Sequence, residues 1–378
     1  MVNRTMDRRL AVLPLVLLVA GCQASTSVSP SGPSSSAPTA STAPSTTPVV
    51  PGGRILFDRI GPGEVEEFFT IDTDGTDERA IFTQESCLCT GWSADGTQVW
   101  TMGATGHGTW SFTTMAADGS DRQVISPPIE TLNLGPAMPS VDGRWIAFDG
   151  WDDTDPSRNG VYLGSPDLTD LHLVTPLPEG TIRTEPFGVT PDGSQVVFFA
   201  DRGEAEHAEG DLYVVKADGS GLRQLNPPGS THSFIHVAAG SLSPDGRQAA
   251  FTVDDAVYVA HLDGGDARQI TKPAGFTWAV SWSPTGDWIT YSHQIGSRSV
   301  VSLVRPDGTD QKEISATDGS DEAGGGVWSP DGNYLLVRRH AAGGDDLWIM
   351  DLEGTYVVQV THEPSNYGMY AWAPDPTD

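Results

Sequence analysis

Cysteine is nearly absent: the 378 residues hold three, at Cys22, Cys87 and Cys89. A small disulfide-stapled scaffold and a paired-cysteine zinc site are both excluded, since neither has enough thiols. Cys87 and Cys89 sit so close in sequence that a ring between them is strained, and their pairing in an exported protein stays open. Positive charge is scarce as well. The chain has 21 Lys and Arg against 50 Asp and Glu, a formal net charge of −29. So acidic a chain repels phosphate backbones and anionic lipid headgroups, which argues against nucleic acid as a partner. It favours solubility, and cations or basic partners. Amphipathic helical periodicity is missing throughout, and the one long apolar run lies at the N-terminus.

That run, Leu10 to Ala20, follows Arg4, Arg8 and Arg9 and is broken only by Pro14. It is too short to span a bilayer with ease and has the layout of a secretory signal. Leu18-Val19-Ala20-Gly21-Cys22 closes it. These five residues resemble a bacterial lipobox. The resemblance implies a lipoprotein signal peptide over residues 1–21 and lipidation of Cys22, anchoring the chain to the cell membrane or envelope. Residues 22–53 then form a stalk. After Cys22 they carry no charge and are almost entirely Ser, Thr, Pro, Ala, Val and Gly. Such a segment cannot bury enough apolar area to fold. At roughly 3.1 Å per residue for an extended proline-rich chain it reaches several tens of ångströms.

Residues 54–378 are organised by a recurring turn. Ser329-Pro330-Asp331-Gly332 has a turn residue at every position and leads into Leu335-Leu336-Val337. Pro pre-sets φ for the second position and Gly supplies the left-handed conformation that closes a hairpin. The alternation of Leu335 and Val337 reads as a half-buried strand. Related turns stand at Ser93-Ala94-Asp95-Gly96, Ser140-Val141-Asp142-Gly143, Thr190-Pro191-Asp192-Gly193, Ser243-Pro244-Asp245-Gly246 and Ser283-Pro284-Thr285-Gly286, with a degenerate copy at Ala373-Pro374-Asp375-Pro376. Their glycines fall 40 to 53 residues apart. Each turn precedes a short apolar strand, then a third strand, an Asp-Gly-type turn and a fourth strand at Leu225-Asn226, Ile270-Thr271, Ile314-Ser315 or Val360-Thr361. Four antiparallel strands in one such period make a β-propeller blade.

The fold expected is therefore all-β: a β-propeller of seven four-stranded blades, with six as the alternative. The chain starts at a second strand, Ile55-Leu56-Phe57, and ends at a first strand, Ala371-Trp372-Ala373. Pairing these two ends makes one blade from both and leaves no open sheet edge.

Trp328-Ser329-Pro330-Asp331-Gly332 followed by an apolar strand resembles the WD40-like (PD40) repeat of the TolB-type propellers. The resemblance covers essentially all of residues 54–378 and implies a propeller exported to the envelope. TolB proteins are periplasmic, carry an N-terminal α/β domain before six blades, and act with partners in envelope integrity. Here a lipobox and stalk stand in place of that domain. Similar propellers precede the catalytic domain of prolyl oligopeptidase-like peptidases, but no Gly-x-Ser-x-Gly elbow is found in this sequence.

Functional groups sit on loops over a rigid scaffold. The turns between first and second and between third and fourth strands share one face of the disc. The connections between blades and between second and third strands make the other. Its inter-blade connections carry Glu85, Glu130, Arg183, Glu185, His232, His236, Trp278, Asp321, Glu322, Tyr367 and Tyr370. Carboxylates and histidines converging at a channel mouth suit cation binding or acid–base work, and equally the capping of loop ends. Asp72-Thr73-Asp74-Gly75 lacks the sixth-position Gly and twelfth-position Glu of a calcium loop. Asp152, Asp153 and Asp155 form a further acidic cluster. No cofactor is called for, and a divalent cation such as calcium is the one option left open.

The leading function is an envelope lipoprotein whose propeller binds or scaffolds a protein, peptide or glycan partner. A hydrolase or lyase with its site at the channel mouth is the alternative, for which no complete catalytic set is visible.

Overall fold

The computed structural model describes residues 52–61, 65–84, 87–104, 110–202, 210–227, 242–273, 275–296, 298–314, 326–341 and 344–374, all within one compact unit, Val50–Asp378. They build seven antiparallel blades. Blade 1 joins Tyr370–Trp372 to Arg54–Ile60, Glu66–Asp72 and Arg79–Gln84. Blades 2 to 7 follow at 87–125, 133–176, 183–224, 242–269, 277–313 and 327–359. In blade 5 the innermost position is marked by a single bridge, Leu242 to Ala249. The two ends of the propeller meet as expected: Ile55 pairs with Trp372, Leu56 with Ala371 and Phe57 with Tyr370.

Seven hydrophobic clusters hold the ring together, one at each junction of neighbouring blades. Ile55 and Phe57 of blade 1 pack with Leu336, Leu347 and Ile349 of blade 7. Leu56, between them in sequence, packs with Trp92 and Val99 of blade 2. In blade 7, Leu335 and Val337 face Val301 and Leu303 of blade 6. The second strands are thus buried on both faces, and Leu335, Leu336 and Val337 are all fully buried. This corrects the half-buried strand inferred from alternation. A continuous apolar run is what a strand with two covered faces requires. Each such side chain contributes about 1.5–3 kcal/mol of burial.

The recurring turn is closed by its own side chains. Ser329 Oγ accepts from Tyr334 N at 2.9 Å and donates to Asp331 Oδ1 at 2.6 Å. Asp331 Oδ1 accepts from Asn333 N at 3.1 Å, and Gly332 N donates to Ser329 O at 2.9 Å. Gly332 has φ +72°, and a Cβ there would stand 3.0 Å from the Thr285 methyl of blade 6. Each of these turns leans in the same way on the turn before it. Gly143 abuts Ala94, Gly193 abuts Trp145, Gly246 abuts Pro191, and Gly96 abuts Pro374 at the close of blade 1. In blade 6 Thr285 replaces the aspartate, and its contacts with Ser283 Oγ and Asp287 N lengthen to 3.2 and 3.4 Å.

The fourth strands lie earlier than the apolar residues suggest. In blades 4 to 6 the ladder covers Arg223–Gln224, Arg268–Gln269 and Lys312–Glu313. The expected Leu225, Ile270 and Ile314 come just after it and are buried. Their N–H groups donate back to Leu212 O, Val257 O and Val301 O. The polar residue that follows completes the edge. Asn226 Oδ1 accepts from Leu212 N at 2.7 Å, Thr271 Oγ1 from Val257 N at 2.8 Å and Thr361 Oγ1 from Leu347 N at 2.9 Å.

The turn hydrogen bonds set an expected acid sensitivity. Asp95 and Asp245 are held below the ordinary carboxylate range, chiefly by the Ser93 and Ser243 hydroxyls. Their stabilisation is present above the unfolded-state value and is lost as pH falls through about 4 and below. The urea midpoint should therefore drop on acidification through that range. Thr285→Asp should raise stability by about 0.5–1.5 kcal/mol and Ser329→Ala should lower it by about 1–3 kcal/mol. An unchanged midpoint in both variants would contradict this account of the turns.

Candidate functional site

In an antiparallel blade the first-to-second and third-to-fourth turns lie at one end, and the second-to-third turn and the outgoing connection at the other. Arg54–Ile60 therefore begins at the turn-bearing face, where Ala373 N donates to Arg54 O at 2.8 Å and Thr73 N to Gly53 O at 3.3 Å.

Arg183, Glu185, Trp278 and Tyr370 are near the loop-rich ends of innermost strands. Arg183 Nε pairs with Asp201 Oδ2 at 2.9 Å. Glu185 is half-buried, and burial pushes its carboxyl up, against Arg183 and with Asp201. Beside it, Thr184 Oγ1 donates to Asp149 Oδ1 at 2.5 Å. Glu185 also acts on Cys89 of blade 2, whose thiol is pushed up to about 12, first by burial. Ala137 N donates to that sulfur at 3.5 Å. The thiol is protonated at neutral pH, so Cys89 is a core group rather than a nucleophile. The Cys87 side chain lies outside the described residues.

Trp278 is half-buried and stacked on Phe276, centroids 5.3 Å apart with planes 25° from parallel, and Phe276 is 41% exposed. Tyr370 is half-buried, its phenol raised by burial in the neighbourhood of Arg338 and Asp345. Glu130 is exposed. Tyr367 is placed differently from expectation: it is buried, edge-on to Phe57, and its hydroxyl donates to Glu363 O at 2.9 Å. It packs the junction of blades 7 and 1 rather than lining a surface. Cys22, Glu85, His232, His236, Asp321 and Glu322 lie outside the described residues.

Four residues not singled out from the sequence stand beside Tyr370. Asp345 Oδ1 meets His340 Nδ1 at 2.7 Å, and its Oδ2 lies 3.3 Å from Arg338 Nε. Asp58 is almost fully buried, and its Oδ1 accepts from Gly368 N at 2.8 Å and Met369 N at 2.6 Å. Burial outweighs these bonds and pushes the Asp58 carboxyl to about 6. The sequence signal was present: Asp58 directly follows Ile55-Leu56-Phe57, a charge inside a strand covered on both faces.

The acidic clusters are used internally. Asp152 Oδ2 accepts from Thr131 Oγ1 at 2.6 Å and Arg158 Nη1 at 2.8 Å, while its Oδ1 accepts from Thr154 N at 2.8 Å. Asp74 Oδ1 accepts from Thr76 N at 3.0 Å and its hydroxyl at 2.6 Å. Among the described residues no three His, Cys, Asp or Glu side chains are grouped to hold a metal ion.

This geometry defines a seven-bladed β-propeller with a face of self-bonded turns and a loop-rich face that carries polar and aromatic side chains. Its repeats are TolB-like. The chain is 28% identical to a TolB homolog of Chlorobium luteolum over 163 residues, 42% of this chain and 35% of that protein. It is 30% identical to an uncharacterised protein of Agrobacterium fabrum over 144 residues, 36% of this chain and 46% of that protein. The matches thus span less than half of either relative. TolB from Acinetobacter baumannii superposes with a TM-score of 0.53 at 16% identity, over 85% of this chain and 67% of that one, which establishes shared fold. No family model matches the sequence.

Asp58 provides a test of the polar junction. A carboxyl raised to about 6 contributes stability that is present below its unfolded value and lost as pH rises through 6. Asp58→Asn keeps the acceptor for Gly368 and Met369 and removes that titration. Relative to the variant, the parent should lose about 2–3 kcal/mol between pH 4 and 7 in urea denaturation. Parallel pH profiles would show that Asp58 is not perturbed.

Proposed function

We propose that this protein is an exported binding module, tethered to the cell envelope through lipid on Cys22 and residues 22–53, that presents its loop-rich face to a protein, peptide or glycan partner. The observation that supports this most directly is the exposed aromatic pair of the loop-rich face, Phe276 stacked on Trp278 beside the half-buried Tyr370 and Glu185 of the other innermost strands. The turn-bearing face, by contrast, spends its polar groups on its own hairpins.

Exposed apolar side chains allow the two faces to be compared. Ile182 and Phe276 are 42% and 41% exposed on the loop-rich side, and Val141 is 60% exposed in a turn of the other face. Photo-crosslinking residues at 182, 276 or 141 in the full chain, followed by envelope extraction, should give a discrete crosslinked partner from 182 or 276 and none from 141. Cys22→Ser should release the protein from the membrane fraction. Crosslinks confined to position 141, or membrane retention without Cys22, would overturn the proposal. Turnover of an envelope glycan or peptide, lost in Glu185→Gln, would instead establish an enzyme.

A further inference from the structure

The third-to-fourth turns follow one rule in four blades and break it in blade 5. In blades 1, 2, 4 and 6 an Asp-Gly is followed by Thr76, Ser120, Ser220 or Thr309, whose backbone N–H and hydroxyl both donate to the aspartate Oδ1. The glycine then packs on the fourth strand of the blade before it. A Cβ at Gly75, Gly119, Gly219 or Gly308 would stand 2.5 to 3.2 Å from Val360 O, Ile81 O, Val174 O or Ile270 O. Blade 5 reads Asp263-Gly264-Gly265-Asp266-Ala267 instead. Gly265 stands in place of the hydroxyl residue, and Ala267 stands where blade 4 has Leu222 and blade 6 has Gln311. Gly264 and Gly265 take φ +139° and +96°, and nothing lies within 4 Å of a Cβ at either.

Where this turn fails to close on blade 4 there is a cavity of about 400 Å³, lined by Arg223, Gln224 and Leu225 of blade 4 and by Gly265, Asp266 and Ala267 of blade 5. Arg223 ties the two blades together: its Nη2 donates to His261 O at 2.9 Å and to Leu262 O at 3.1 Å. The matching Arg268 reaches one residue further into its turn, to Pro306 O and Asp307 O. The lining is accessible, since Gly265 and Asp266 are exposed and Gln224 and Ala267 half-buried. Arg223–Gln224 is also the outer edge of its sheet. Leu225 N donates inward to Leu212 O at 2.7 Å, so by antiparallel alternation the N–H and C=O of Gln224 point outward. Neither has a main-chain partner on that side among the described residues. An outward N–H and C=O on one edge residue match one residue of an extended chain, which takes both hydrogen bonds. A simple ion suits the lining poorly, because Arg223 and Asp266 bring opposite charges. A neutral peptide segment fits between them, and Leu225 and Ala267 give the lining an aliphatic part.

We propose that this cavity at the outer rim of blades 4 and 5 is a docking site for an extended peptide segment of a partner protein, which adds as a short strand along Gln224 and places an aliphatic side chain in the space beside Ala267. The site is separate from the loop-rich face and does not depend on that face binding a partner.

The test is titration of the full chain with the acetylated, amidated hexapeptides Thr-Thr-X-Thr-Thr-Ser, where X is Gly, Val, Leu or Lys, up to about 5 mM, a range that detects weak sites. NMR follows the amide shifts of Gln224 and Ala267. The Val or Leu peptide should move both saturably, with the Gly and Lys peptides about tenfold or more weaker. Gln224→Pro removes the outward N–H at an edge position that tolerates proline, and should weaken binding, read at Ala267, about tenfold or more. Gln224→Ala loses the side-chain bond to Asp211 but keeps the N–H, and should bind as the parent does. Ala267→Leu fills the space and should also weaken binding about tenfold or more. If Gln224→Pro does not fold, Ala267→Leu carries the comparison. Lack of a saturable shift with all four peptides overturns the site. So does parent-like binding in either weakened variant, or tightest binding by the Lys peptide. Crosslinking from positions 182 and 276 reads the other face, so failure of this site is separable from failure of the binding face.

Discussion

Every blade of this protein is apolar on both sides, and no blade can cover itself. That constraint determines the rest. A strand such as Arg54–Ile60 sends Ile55 and Phe57 to one neighbour and Leu56 to the other. An open row of such blades would leave two apolar faces in water, at a cost of tens of kcal/mol for several large side chains each. Closing the row into a ring removes both faces at once. Pairing Tyr370–Trp372 with Arg54–Ile60 turns that closure into a hydrogen-bonded one, because the last junction lies inside a sheet as well as between sheets.

Closure also divides the polar work between the two ends of the disc. On the turn-bearing end, serine and aspartate side chains complete their own hairpins, and the turn glycines let successive blades approach closely. At the other end the connections are irregular, so carboxylates are buried with uneven compensation. Asp58 is pushed to about 6 while Asp152 is driven well below its ordinary value by Thr131 and Thr154. The same scaffold thus supplies one chemically quiet face and one chemically varied face.

The architecture was legible because its signals are local and repeated. Ser-x-Asp-Gly encodes a backbone conformation in four adjacent residues, and its recurrence counts the blades. Strand ends were less legible. Leu225 and Ile270 look like the middle of a strand, yet each lies just past the ladder with a polar cap after it, a pattern set by packing against the third strand. Site residues were legible only in part. Arg183, Glu185, Trp278 and Tyr370 follow from topology, since a residue entering an innermost strand must be near the rim. Tyr367 does not, because the depth of a residue within a connection depends on how the loop folds back. Asp58 comes near Arg338 through strand pairing across hundreds of residues, which no short motif records, whereas Arg338, His340 and Asp345 share one hairpin and meet through its register.

The claim on which everything else stands is that the two ends of the propeller form one closed blade of equal standing with the others. Amide hydrogen exchange, read at residues 54–60 and 370–372 against residues 334–341 of blade 7, tests it directly. In a closed ring, Leu56 and Ala371 exchange in the same cooperative unit as Leu336, at the rate of global opening. Fast exchange at Ala371 and Trp372, typical of a frayed terminus, with blade 7 still protected, would contradict closure of the ring.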